Sequence, residues 1–161
     1  MKAIIVYYSM GGNTEYAAKK IAEITGADLL RLEPEKEYPS SGFKKFFWGG
    51  KSAVMAEKPK LKPYQFDADR YDTIIFGFPV WAGNITPPIR TFLSENDLKA
   101  SKYAAFACQS GAGAEKAFGK LKDCLGHDLS KTLILIDPKT KADPAKDRQI
   151  DDFCQALKTG R

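Results

Sequence analysis

The chain has 161 residues and is 43% hydrophobic, which suits one globular domain with a core of its own. No run is long and apolar enough for a membrane span or a signal peptide, so we expect a cytoplasmic protein with no membrane partner. The net charge of +5 comes without a nucleic-acid-binding motif, and the 3 cysteines show no metal-ligand spacing, so neither nucleic acid nor metal is the expected ligand.

Short apolar runs alternate with helix-patterned segments along the whole chain. The predicted strands are 2–8, 27–33, 72–78, 103–108 and 131–137, and the predicted helices are 13–25, 87–95, 114–125 and 146–158. Several of the runs are apolar throughout, which is typical of parallel strands buried on both faces. The alternation predicts an α/β fold, a three-layer doubly wound five-stranded parallel sheet, in a single domain over 1–161.

The loop after the first predicted strand is rich in small residues. It consists of Ser9, Met10, Gly11, Gly12, Asn13 and Thr14. The adjacent glycines let a ligand approach the backbone, and the start of the next helix supplies free N–H groups that attract an anion. The loop carries no charge and lacks both the Walker lysine and the third glycine of a dinucleotide loop, so we expect neutral donors to hold one terminal phosphate. A purely structural strand-to-helix turn is the alternative.

A second loop follows the strand predicted at 72–78. It consists of Pro79, Val80, Trp81, Ala82, Gly83 and Asn84, and Thr86 then begins a helix as its N-cap. Trp81 is expected at the carboxyl edge of the sheet, where open parallel sheets bind their ligands. An aromatic ring flanked by small residues there favours stacking on a planar ligand. The alternative is that Trp81 only covers the end of the sheet.

A third small-residue loop follows the strand predicted at 103–108. It contains Ser110, Gly111, Ala112 and Gly113. Cys108 precedes this loop, and two readings are open for it: a buried structural thiol or a redox-active one. We expect Cys124 and Cys154 to be buried structural thiols, and we expect His127 to cap the helix before it.

These three loops, in their order and spacing, resemble the three FMN-binding loops of the flavodoxin-like family, and the resemblance spans the whole chain. It implies the strand order 2-1-3-4-5 and FMN as the cofactor. It also implies that residues 9–14 hold the phosphate and that Trp81 covers one face of the isoalloxazine ring. By the same resemblance, residues 82–84 and 110–113 bind the ring edge through backbone groups.

The positive charge is concentrated between residues 43 and 62. This segment holds 6 lysines against Glu57 alone, which accounts for the whole net charge, and it includes Lys44, Lys45 and Lys51. It also holds Phe43, Phe46, Phe47 and Trp48 on what is predicted to be a helix starting near residue 40. An amphipathic helix packing its aromatic side chains on the sheet is one interpretation. A docking surface for an acidic redox partner, or a wall over the flavin, is the other.

The chain departs from electron-carrier flavodoxins, which are typically acidic and often have a second aromatic residue in the third loop. Here the third loop has neither an aromatic residue nor an acid, and the Trp81 loop has no acid. We therefore expect an open ring face with no carboxylate beside it. This favours an NAD(P)H-dependent reductase of quinone-like acceptors, with no catalytic residue assigned, over a non-enzymatic electron carrier. A flavin-free phosphate-binding module is the third possibility.

Overall fold

The computed structural model describes residues 1–39, 51, 56–141 and 143–160. The strands in the described part of the chain are β1 (Ala3–Tyr7), β2 (Asp28–Arg31), β3 (Thr73–Pro79), β4 (Lys102–Gln109) and β5 (Lys131–Ile136). The helices whose bounds lie in the described ranges are α1 (Asn13–Thr25), α2 (Pro87–Glu95), α3 (Ala114–Leu125) and α4 (Pro144–Thr159), and a 3₁₀ turn lies at Ala68–Arg70. These elements confirm the predicted strands and helices.

The five strands form one parallel sheet in the order β2-β1-β3-β4-β5, which confirms the predicted strand order. The register pairs Val6 with Phe76 and Phe76 with Ala105. The strand order reverses between β1 and β3, because β2 lies on one side of β1 and β3 on the other. This is the position at which open α/β sheets bind ligands, at the carboxyl ends of the strands.

Two hydrophobic cores cover the two faces of the sheet. Ile21 of α1 and Phe153 of α4 pack on one face, and Phe92 of α2 and Leu121 of α3 pack on the other. Each helix contributes an apolar stripe, so the continuously apolar strands are covered on both sides and the structure has three layers. Within the described ranges, no helix has the length and apolar content that crossing a bilayer requires.

Two predictions on the far side of the sheet are wrong. Cys124 is exposed and accepts a hydrogen bond from Arg90 Nη1 at 3.2 Å, because its position on α3 faces solvent. His127 does not cap α3. That helix ends at Gly126, whose left-handed φ of 71° and N–H bond to the Lys122 carbonyl close the last turn, while the exposed His127 ring stacks on Tyr103 at 5.2 Å.

Most of the lysine segment lies outside the described residues, including Lys44, Lys45, the aromatic cluster and the helix predicted to start near residue 40. At its described end, Leu61 is buried and pairs antiparallel with Pro34. The Glu35 N–H donates to the Lys60 carbonyl and the Lys62 N–H to the Glu33 carbonyl, so the chain after β2 pairs with residues 60–62. Lys60 lies 3.4 Å from Glu35, so part of the basic charge is compensated within the protein.

Gly77, in the middle of β3, lies under the ring of its register partner Phe106. A β-carbon built at Gly77 would lie 2.2 Å from Phe106 Cζ, closer than any real contact. Phe106 is fully buried, so its ring has no room to move aside. The absence of a side chain at Gly77 therefore lets the α1 and α4 side of the sheet pack.

We predict that Gly77→Ala lowers the free energy of unfolding by about 1–3 kcal/mol, as overpacking of a filled core does. Gly119→Ala is the matched control, since Gly119 is exposed on α3 and a β-carbon there meets nothing within 4 Å. It should raise the free energy of unfolding by about 0.5–1 kcal/mol through helix propensity. Urea titration followed by circular dichroism measures both, and equal stability of the two variants would contradict this packing.

Candidate functional site

A cavity of about 290 Å³ opens at the carboxyl edge of the sheet, where the strand order reverses. Its wall includes residues of all three predicted loops and adds Cys108, Gln109 and Asp137. The lining residues are Ser9, Met10, Gly11, Asn13, Thr14, Pro79, Val80, Trp81, Ala82, Cys108, Gln109, Ser110 and Asp137. The parallel strands bring these separate segments together because their carboxyl ends meet at one edge.

Six of the predicted site residues lie beside the cavity and do not line it: Gly12, Gly83, Asn84, Gly111, Ala112 and Gly113. Asn84 is buried, and its Oδ1 accepts a hydrogen bond from Arg90 Nη2 at 3.2 Å, so its side chain is committed to the protein. Gly111 and Ala112 are exposed. The three remaining glycines set the backbone course of their loops.

The turn between β1 and α1 presents a row of unpaired backbone donors. Among the described residues, no group accepts a hydrogen bond from the backbone N–H groups of residues 10–14, while the next N–H, that of Glu15, donates to Ser9 Oγ at 3.1 Å. Gly12 is the N-cap of α1 and has a left-handed φ of 91°, at which a residue with a side chain would be strained. Free N–H groups at a helix N-terminus form an anion site.

A lysine from another loop reaches this turn. A β-carbon built at Gly12 would lie 2.9 Å from Lys139 Nζ, so the ammonium lies directly over the turn. The Lys139 backbone N–H donates to Asn13 Oδ1 at 2.9 Å, which fastens the loop after β5 to the start of α1. The sequence of the turn alone gave no sign of this cation, because Lys139 is far away along the chain.

Trp81 is held by a tight turn and by two tyrosines. Trp81 and Asn84 exchange both backbone hydrogen bonds, at 3.3 and 2.9 Å, and the two residues between them have positive φ, 50° at Ala82 and 68° at Gly83. The indole meets the rings of Tyr8 and Tyr38 nearly edge-on, with centroids 5.6 and 5.2 Å apart. These contacts fix the half-buried indole at the cavity wall.

The second and third loops touch backbone to backbone. A β-carbon built at Gly113 would lie 3.1 Å from Gly83 Cα, and Gly113 has a φ of 112°. The Val80 N–H donates to the Cys108 carbonyl at 2.9 Å, which joins the second loop to the end of β4. Gln109 Oε1 accepts from the N–H at the start of α3 at 3.0 Å and fixes that helix against the cavity.

Asp137 is the acid that the loop sequences did not predict, and it makes the expectation of a cavity without a carboxylate wrong. It follows β5, has a strained φ of 42° and accepts a hydrogen bond from Ser110 Oγ at 2.7 Å. That hydrogen bond and the ammonium of Lys141, at 3.1 Å, hold the pKa of the carboxyl below its usual range. Its place directly after β5, at the carboxyl edge of the sheet, was the available signal.

Cys108 faces the cavity without the properties of a reactive thiol. It is 4% exposed, and burial raises the pKa of its thiol to about 12. Reactive cysteines need the thiolate, which is scarce at neutral pH under these conditions. The structure therefore favours the structural interpretation of Cys108 over the redox-active one.

The sheet order, the free N–H groups at residues 10–14 and the Trp81 wall together define a doubly wound α/β protein with a cavity at its switch point. The chain belongs to the flavodoxin family: the sequence model of that family, described as Flavodoxin, matches residues 2–146. The fold is similar to that of a flavoprotein from Lactobacillus acidophilus NCFM solved in complex with FMN, with 22% identity, coverage of 94% of this chain and 97% of that one, and a TM-score of 0.74. Oxidised flavodoxin 2 from Bacillus cereus is similar at 19% identity, with full coverage of both chains and a TM-score of 0.64.

We predict that Gly113→Ala lowers the free energy of unfolding by about 1–3 kcal/mol. The alanine β-carbon would meet the Gly83 backbone, and the alanine would have to adopt the positive φ of this position. Gly111→Ala, in the same loop but facing open space, should change it by less than about 0.5 kcal/mol. Thermal unfolding of the two variants checks this. Equal losses at both positions would mean that the loops do not depend on the close approach.

Proposed function

We propose that this protein is an FMN-dependent flavoprotein that accepts electrons from NADH or NADPH and passes them to a small quinone-like acceptor. The observation that carries the proposal is the row of free N–H groups at residues 10–14, placed at the end of the cavity that Trp81 walls. Membership of the flavodoxin family supplies the identity of the cofactor, since FMN is the flavin of that family.

The residues of the cavity suit FMN. The free N–H groups and the Lys139 ammonium match a phosphate, and Trp81, with Val80 and Ala82, matches a flat apolar ring. When bound, FMN supplies the electron and hydride chemistry, and the protein supplies position and electrostatics. The residues that would hold FMN are those of the anion-binding turn (residues 9–14), the Trp81 turn (residues 81–84) and the third loop (residues 110–113).

What supports a reductase is the low bulk of the third loop. Ser110, Gly111 and Ala112 are exposed, and a β-carbon at Gly111 meets nothing within 4 Å among the described residues. A nicotinamide must lie flat against the flavin ring for hydride transfer, which needs free space on one side of it. The third loop leaves such space, while Trp81 is fixed by its tyrosine neighbours.

The alternative is a non-enzymatic electron carrier that meets a partner protein at the same open edge. What supports it is the exposure of Lys58 and Lys62 in the described part of the lysine segment, since exposed lysines would attract an acidic partner. Lys44 and Lys45 lie outside the described residues, so their part in docking stays a prediction.

The proposal predicts that the FMN-loaded protein bleaches within seconds when mixed anaerobically with NADH or NADPH. Stopped-flow absorbance of the flavin band measures the rate. Gly111→Trp, which fills the open side without touching the anion-binding turn, should retain FMN and lose most of the rate, whereas Gly111→Ala should retain both. A protein that binds FMN but reacts with neither nucleotide would contradict the reductase and favour the carrier.

The Asp137 carboxylate predicts a further property of the bound flavin. A negative charge on the cavity wall opposes reduction, so Asp137→Asn should raise the two-electron midpoint potential, by roughly 20–60 mV for a charge about 5–15 Å away. Asparagine suits the positive φ of this position, so the fold should persist. Spectroelectrochemical titration measures the shift, with Asp123→Asn on the exposed face of α3 as the control. Equal potentials in all three proteins would show that the carboxylate does not act on the ring.

A further inference from the structure

We infer that Lys139, on the loop between β5 and α4, is the residue that selects the phosphorylated flavin over riboflavin. The inference rests on the proposed FMN site and adds to it a charged contact from a fourth loop. It concerns the specificity of binding, and it predicts how affinity depends on charge and on salt.

The Lys139 side chain lies across the anion-binding turn. Its Nζ and Cδ would lie 2.9 and 3.3 Å from a β-carbon at Gly12, so the aliphatic side chain runs across the turn and ends over it. The backbone of the same residue is fixed independently, because its N–H donates to Asn13 Oδ1 at 2.9 Å. Pro138, buried just before it, anchors the loop further. The ammonium is therefore held at the anion-binding turn by more than its own flexible side chain.

Lys139 and Lys141 differ in the charged groups that lie around them. In the described part of the chain, no carboxylate lies within 4 Å of Lys139 Nζ. The neighbouring Lys141 is different, since it pairs with Asp137 at 3.1 Å. An ammonium without an acidic partner, beside N–H groups without acceptors, is arranged for an external anion.

FMN and riboflavin differ in the charge of their terminal group. A terminal phosphate monoester carries close to two negative charges at neutral pH, whereas riboflavin ends in a neutral hydroxyl. The uncharged N–H donors favour the phosphate, and the Lys139 ammonium adds an electrostatic attraction to FMN that is absent for riboflavin. Salt must weaken this attraction, because the Lys139 side chain is exposed.

The test is a fluorescence titration of the apo-protein with FMN and, separately, with riboflavin, at about 20 and 500 mM salt. Lys139→Gln should bind FMN about fivefold or more weakly at low salt, bind riboflavin as the unsubstituted protein does, and show a flatter salt dependence for FMN. Lys139→Arg should retain most of the FMN affinity. Lys120→Gln, which removes an exposed lysine on α3, should match the unsubstituted protein throughout.

Two results would overturn the inference, and they differ from each other. If Lys139→Gln binds FMN within twofold of the unsubstituted protein at low salt, the lysine has no part in selection while the FMN site stands. If it weakens FMN and riboflavin equally, the residue acts only by holding the loop. Failure of the unsubstituted protein to bind either flavin would instead remove the proposed function, and the inference with it.

Discussion

The backbone N–H groups of residues 10–14 are the constraint on which the rest of the site depends. These N–H groups have no acceptor in the described part of the chain, and they lie at the positive end of the α1 dipole. Buried or half-buried donors are normally paired, so such a row marks a place where an external acceptor is expected. The row includes the first N–H groups of α1, which have no acceptor within the helix, and Gly12 with its left-handed φ is the N-cap.

The loop after β5 contacts both the first and the third loop of the cavity. Through Lys139 it contacts Asn13 and Gly12 in the anion-binding turn, and through Asp137 it contacts Ser110 in the third loop. It thereby places a positive charge at the turn and a negative charge on the cavity wall. Asp137 starts this loop with a strained φ of 42°.

Local patterns were sufficient for the fold and for the three small-residue loops. Strands and helices follow from apolar runs and periodicity, and family resemblance supplied the strand order. What the sequence did not predict arises from tertiary contact: Lys139 over Gly12, Asp137 on the wall, and Gly113 against Gly83. Each joins residues distant in the chain, and in each case only the packing of parallel strand ends brings them together. The exposure of Cys124 was missed for a different reason, since its position on α3 faces solvent.

Amide chemical shifts in a ¹⁵N-labelled sample test the central claim most directly, since they report on each N–H of the turn. Addition of FMN should move the amide resonances of residues 10–14 strongly, inorganic phosphate should move the same resonances less, and riboflavin should leave them nearly in place while shifting the Trp81 indole N–H. Equal shifts of residues 10–14 with FMN and riboflavin, or none with FMN, would contradict the assignment of this turn as the phosphate site.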